Sequence, residues 1–224
     1  MYTGPDCHDF VIDGNVFHDI GRTNAAQLDH GLYLRGANFT IINNIFYNIQ
    51  RGWAIQAAHG LTNVLIANNT FVSLDGGGDR DGQIMLWNTQ SNLTIQNNIW
   101  YNPKNYAIVR YGSTVTGCVI DHNMVYGASR LILDSNGCMM GANQIGSDPM
   151  FVNASTTPYD FHLQPGSLAI DAGVSISGVT SDADGLARPQ GRYTDLGAYE
   201  YALPAGFANL FRSPTALRYR RLDY

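Results

Sequence analysis

The sequence predicts an all-β protein, a right-handed parallel β-helix whose strands stack turn upon turn. Three observations predict it. An eight-residue phrase returns five times: residues 10–17 (FVIDGNVF), 39–46 (FTIINNIF), 64–71 (VLIANNTF), 93–100 (LTIQNNIW) and 118–125 (CVIDHNMV). Its asparagines Asn15, Asn44, Asn69, Asn98 and Asn123 fall 29, 25, 29 and 25 residues apart, a repeat length that marks a stacked, quasi-one-dimensional architecture. Within each phrase apolar residues alternate with the two-residue period of a strand, and they are Ile, Val, Phe and Thr, which favour strands. A leucine-rich repeat also carries one Asn per repeat, but Leu does not dominate here.

Taken in order, each phrase is a strand, a bend at its Asn, and a second strand starting in shifted register. Asn tolerates left-handed backbone angles and suits the bend. One strand spacing from its equivalents, each amide can bond the next and form a ladder of satisfied buried groups. A further strand follows each phrase at residues 32–34 (LYL), 55–57 (IQA), 84–86 (IML), 108–110 (IVR) and 131–133 (LIL). A degenerate sixth phrase at 140–145 (MGANQI) puts the count at about six coils over residues 1–146. The chain opens almost inside a repeat, as though earlier coils or a leader had been removed.

The 224 residues suffice for one core. Acidic residues are 17 Asp to one Glu and basic residues 12 Arg to one Lys; with 20 Asn and 24 Gly the composition is that of turn-rich β structure. A net charge of −5 argues against nucleic acid or an anionic membrane as partner. No stretch is apolar enough to span a bilayer as a helix. Three cysteines are an odd, sparse set, and Cys118 at an inward position reads as a buried free thiol.

The connections between phrase and following strand differ in length. They are long at 18–31 and 72–83, short at 47–54, and shorter in later coils. Two long loops on one edge would wall a cleft floored by the coil between them, and solenoids carry function on such insertions. Floor and walls would hold Asp29, His30, Tyr33, Arg51, Trp53, Gln56, Asp79, Arg80 and Asp81, with Tyr106 and Arg110 on the same strand face one or two coils on.

Residues 147–201 change character: DPMFVN, then FHLQPGSLAIDAG, then DGLARPQGRYTDLGAYEY. With HGLYL, IINNIFYN and VLIANNTFV, this ending resembles secreted bacterial right-handed β-helix proteins of the pectate-lyase-like superfamily, over most of residues 9–201. The segment would cap the last coil's open strand edges. Asp171, Asp184 and Asp195 within it read as turn residues bonding backbone. Residues 202–224, with Arg212, Arg218, Arg220 and Arg221, carry about +3 beside a body near −8 and read as a disordered extension or appended sequence.

The resemblance implies a secreted or cell-surface monomer acting on an acidic polysaccharide, by lyase-type β-elimination or C5-epimerisation. Removing a uronate C5 proton needs a base within reach and a group that neutralises the carboxylate. His30 and Tyr33 would be base and acid, Asp29 would orient the His, and Arg51 or Arg80 would hold the carboxylate bidentately. Arg35, Trp53, Gln56, Arg80, Trp87, Tyr106 and Arg110 would bind substrate, the aromatics by stacking. The Asp-Pro-His-Glu run of mannuronan epimerases and the carboxylate signatures of polygalacturonases are absent, and Lys104 lies in a short turn. The sequence establishes no cofactor; Asp75, Asp79 and Asp81 in LDGGGDRDG could offer oxygens to Ca²⁺, a solvated turn being the competing reading. A non-catalytic glycan-binding or surface module competes with every enzymatic reading.

Overall fold

The computed structural model describes residues 1–21, 29–74, 82–112 and 114–202. These form a parallel β-helix with three sheets along its length. The first halves of the phrases build one sheet: His8–Asp13, Ala37–Ile42, Thr62–Ala67, Gln90–Gln96, Cys118–Asp121 and Cys138–Met140. Their second halves build another: Val16–Ile20, Ile45–Ile49, Thr70–Val72, Ile99–Tyr101, Met124–Tyr126 and Gln144–Ile145. The third holds Leu32–Leu34, Ile55–Ala58, Ile84–Trp87, Tyr106–Tyr111 and Arg130–Ile132. Among the described residues the last turn has strands in only two sheets, so complete turns are fewer than the six expected.

Register makes the repeats structural. Ile12, Ile41, Ile66, Ile95 and Ile120 pair strand to strand and point inward. Each buried Ile contributes roughly 1.5–3 kcal/mol over an exposed one. Phe17, Phe46, Phe71 and Trp100 stack face to face at 4.7, 5.0 and 5.0 Å between ring centres.

The bend lies one residue earlier than expected. Left-handed angles fall on Gly14, Asn43, Asn68, Asn97 and His122, each just before a ladder asparagine. The ladder residue is thereby free to turn its side chain inward. Asn44, Asn69 and Asn98 each donate from Nδ2 to the next Asn Oδ1 at 3.0 Å, and from backbone N to the same oxygen at 2.9–3.0 Å. Asn143 closes the series by accepting from Asn123. A second, exposed ladder runs along another edge, where Asn92 donates to Asn63, Asn63 to Asn38 and Asn38 to Asp9.

Two expectations are corrected. Cys118 is bonded to Cys138, with Cα atoms 4.4 Å apart, and Cys7 is the free thiol. The two cysteines pair in register on neighbouring strands, 20 residues apart like Asn123 and Asn143. Residues 147–201, expected over the open end, run instead along a flank. Phe151, Phe161, Leu163, Ala169, Leu196 and Ala198 pack on Ile45, Val72, Ile99 and Met124, the outward residues of the second sheet across four turns. Met140 and Ile145, at inward register positions on the last strands, stay 43% and 51% exposed, so the described residues of 147–202 do not cover the open end there.

Polar contacts fix this strap. Arg188 and Glu200, side chains 2% and 0% exposed, pair at 2.6 Å, and Arg188 also donates to Asn43 Oδ1 at 3.2 Å. Ala198 N donates to Thr70 Oγ1 and Gly197 N to the Asn97 carbonyl. Asp171 and Asp195 accept backbone N–H groups from within the strap, as expected. Asp184 departs from that reading, since its carboxylate meets His162 Nε2 at 2.9 Å. Residues 203–224, including the four tail arginines, lie outside the described residues.

Candidate functional site

The outer face of the third sheet carries the site. Its strands alternate, so Leu32, Ile55, Ile84 and Ile108 fill the interior while the residue after each points out. That outward row is Tyr33, Gln56, Met85 and Val109, adjacent in strand register. Two residues on, a second row runs Ala58, Trp87 and Tyr111. A cleft of about 740 Å³ opens over these rows.

Rings surround this cleft. His30 and Trp53 sit just before their strands, where Gly31 N donates to the Trp53 carbonyl at 3.0 Å and Trp53 N donates to His30 Nδ1 at 3.1 Å. The two rings lie 5.3 Å apart and 21° from parallel, and the Tyr33 ring is 5.8 Å from His30. Tyr2 bridges to Tyr33 as an added strand residue, its ring 5.0 Å away. Tyr111 tilts against Trp53 at 6.5 Å and, like Trp87, is 43% exposed. Gly52 permits the turn: a Cβ there would collide with the Asp29 carbonyl oxygen.

The structure thus unites His30, Tyr33, Trp53, Gln56 and Trp87 of the expected set. Tyr106 packs beside them against Trp53, Met85 and Val109. Asp29, Arg51 and Arg35 are not among the cleft's lining residues, and Arg35 is held by its backbone to Thr3. Arg110 is corrected. It pairs with Leu86, an inward register position, and its guanidinium bonds the carbonyl of Asn136 and lies 3.7 Å from the Asp134 carboxylate. A strand of six residues, Tyr106–Tyr111, closes the sheet here, and its next neighbour Arg130–Ile132 ends before reaching Arg110. Asp75, Asp79, Arg80 and Asp81 lie outside the described residues, as do the rest of residues 75–81 and residues 22–28 of the two long loops.

Three members were missed. Met85 follows from the alternation that exposes Tyr33 and Gln56, and Tyr111 from the pairing that places Trp87. Tyr2 precedes the first phrase and had no repeat to place it.

Among the described residues, no Arg, Lys or carboxylate lines the cleft, and no three His, Cys, Asp or Glu side chains are grouped to hold a metal. Charge clusters instead on the strap that packs against the second sheet. There the His162 ring stacks 3.8 Å from Tyr199, with Nδ1 2.6 Å from Asp160 and Nε2 2.9 Å from Asp184. Burial draws the His162 pKa down, but the Asp184 and Asp160 hydrogen bonds outweigh it and leave the value raised.

Parallel sheets, an internal amide ladder and a ring-lined outer face define a β-solenoid with a surface cleft. A family model described as right-handed β-helix region matches residues 5–145, and the chain belongs to that family. No curated protein matches the chain.

Proposed function

We propose that the cleft on the third sheet is a carbohydrate-binding site and that the protein holds glycan without turning it over. The observation that carries this reading is the set of rings around one cleft, two of them, Trp87 and Tyr111, left open to solvent on rigid strands. Sugar rings present apolar C–H faces that stack on aromatic side chains, and a sheet holds those side chains at fixed spacing without an ordering cost. Membership of the β-helix family supports a carbohydrate-related role at that coarse level.

Elimination or epimerisation would need more. His30 Nδ1 accepts the Trp53 N–H, so a neutral ring carries its proton on Nε2 and presents a donor there, not a base. The cation that would neutralise a uronate carboxylate is not among the described residues lining the cleft. Binding without chemistry is the reading these groups support.

Affinity electrophoresis and calorimetry against a panel of plant, algal and bacterial polysaccharides test it. Trp87→Ala should lower affinity at least about tenfold, roughly 1.4 kcal/mol, with the circular dichroism unchanged. Unchanged affinity in that variant would sink the assignment. A rise in ultraviolet absorbance from a new C4–C5 double bond on alginate or pectate would restore the lyase.

A further inference from the structure

Gln56 is an outward strand residue that is nonetheless 2% exposed, and it lines the cleft. Its neighbours in register are Tyr33 and Met85, one strand spacing to either side. Among the described residues its side-chain amide has no hydrogen-bond partner. Of the other buried glutamines, Gln90 donates to the Trp87 carbonyl, and Gln83 donates to Ser73 while its Oε1 is sealed without a partner. The Gln56 amide is not among the side-chain atoms sealed from water, so it is reached from the cleft that Gln56 lines and can bond an incoming polar group there.

Resting on the carbohydrate reading above, we infer that Gln56 is the specificity-determining residue of the cleft and that it selects an uncharged pyranose over a uronate. An amide offers one acceptor oxygen and two N–H donors. A pair of neighbouring hydroxyls, each both donor and acceptor, satisfies both ends at once. A carboxylate satisfies only the N–H groups and sets its own oxygens against Oε1. Desolvating that negative charge among Tyr33, Trp53, Met85 and Trp87, with no lining cation among the described residues, adds a penalty that a hydroxyl does not carry. The acidic polysaccharide expected from the sequence gives way to a neutral one.

The test compares neutral hexasaccharides (of glucose, mannose and xylose) with hexagalacturonate and hexamannuronate by calorimetry. At least one neutral ligand should bind tenfold or more tighter than both uronates. Gln56→Met, which keeps the volume and removes the amide, should weaken that ligand about tenfold. The same variant should unfold at a urea concentration close to that of wild type, because no described protein group bonds the amide it removes. A glutamine that merely props the sheet would lose stability instead and leave affinity unmoved. Tighter binding of a uronate, or unchanged affinity in Gln56→Met while Trp87→Ala abolishes binding, overturns the selectivity and leaves the carbohydrate site standing. Unchanged affinity in both variants overturns the site itself.

Discussion

Asn69 makes five hydrogen bonds through one side chain. Oδ1 accepts from the backbone and side-chain nitrogens of Asn44, while Nδ2 donates to Ile41 O, Ala67 O and Asn98 Oδ1. It is fully buried, so removing the amide orphans partners that water cannot reach. Asn69→Ala should cost at least about 3 kcal/mol in urea unfolding, since each orphaned group costs about 1–3. Asn143→Ala, at the exposed end of the ladder, should cost less than half as much; equal costs would mean that water enters the stack. The ladder was legible because five asparagines returning at one place in a strand phrase come into register when the phrases stack, and their amides then meet. The bend was misplaced by one residue because Asn stands at both positions in three phrases, and sequence does not say which of two adjacent asparagines takes the left-handed angle. Gln56 was legible as a cleft residue. Its missing partner was not, because that depends on what Tyr33 and Met85 fail to offer.

Among elements, the last turn is the weakest. Its two strands are three and two residues long, and their side chains Met139, Met140 and Ile145 stay exposed. The Cys118–Cys138 bond ties the first of these to the turn beneath, closing a loop of 20 residues. A loop of that size is worth about 3 kcal/mol by the chain-entropy argument. Cys138→Ser should therefore lower the unfolding free energy by roughly that amount and open residues 130–146 to protease first. Cleavage starting elsewhere would show that the bond is not what holds this turn. The pairing escaped the sequence reading because three cysteines looked unpaired, yet Cys138 stands to Cys118 as Asn143 stands to Asn123. Applying the repeat register to every inward position would have found it. The cleft shows the opposite limit. Its rings lie on regular strands and so were placed by the repeat, whereas Arg110 was assigned to the outer face although its pairing with Leu86 turns it inward. The loops expected to wall the cleft follow no repeat, and their residues 22–28 and 75–81 lie outside the described ones.

At the scale of the molecule, stability depends on a strap of irregular chain gripping the second sheet. Its polar anchors give that grip a pH dependence. Asp195 is 2% exposed, and burial, then the Glu200 carboxylate beside it, push its pKa from 3.8 to about 7 against the pull of the Tyr201 and Asp171 N–H groups. A raised carboxyl favours the folded state while protonated. Its contribution is whole below 3.8, where both states hold the proton, and is lost as pH rises toward about 7. His162, raised above 6.5, works in the same direction, contributing fully below that value and losing its share as pH rises through the folded pKa. Asp160 acts oppositely. Burial would raise its pKa, but the bonds from His162 N and the His162 ring outweigh that and leave it below 3.8, so its contribution fades only in stronger acid. The strap should therefore hold best in mild acid, with the unfolding free energy falling on the order of 2 kcal/mol between about pH 5 and about pH 8. Hydrogen exchange across 160–201 should accelerate over the same interval, ahead of the ladder strands. His162→Gln should flatten the slope above 6.5, and Asp195→Asn the slope below 7, each leaving the other limb in place. Stability that rises from pH 6 to pH 8 in wild type would mean that Asp195 is ionised in the folded protein, its two backbone donors outweighing burial and Glu200.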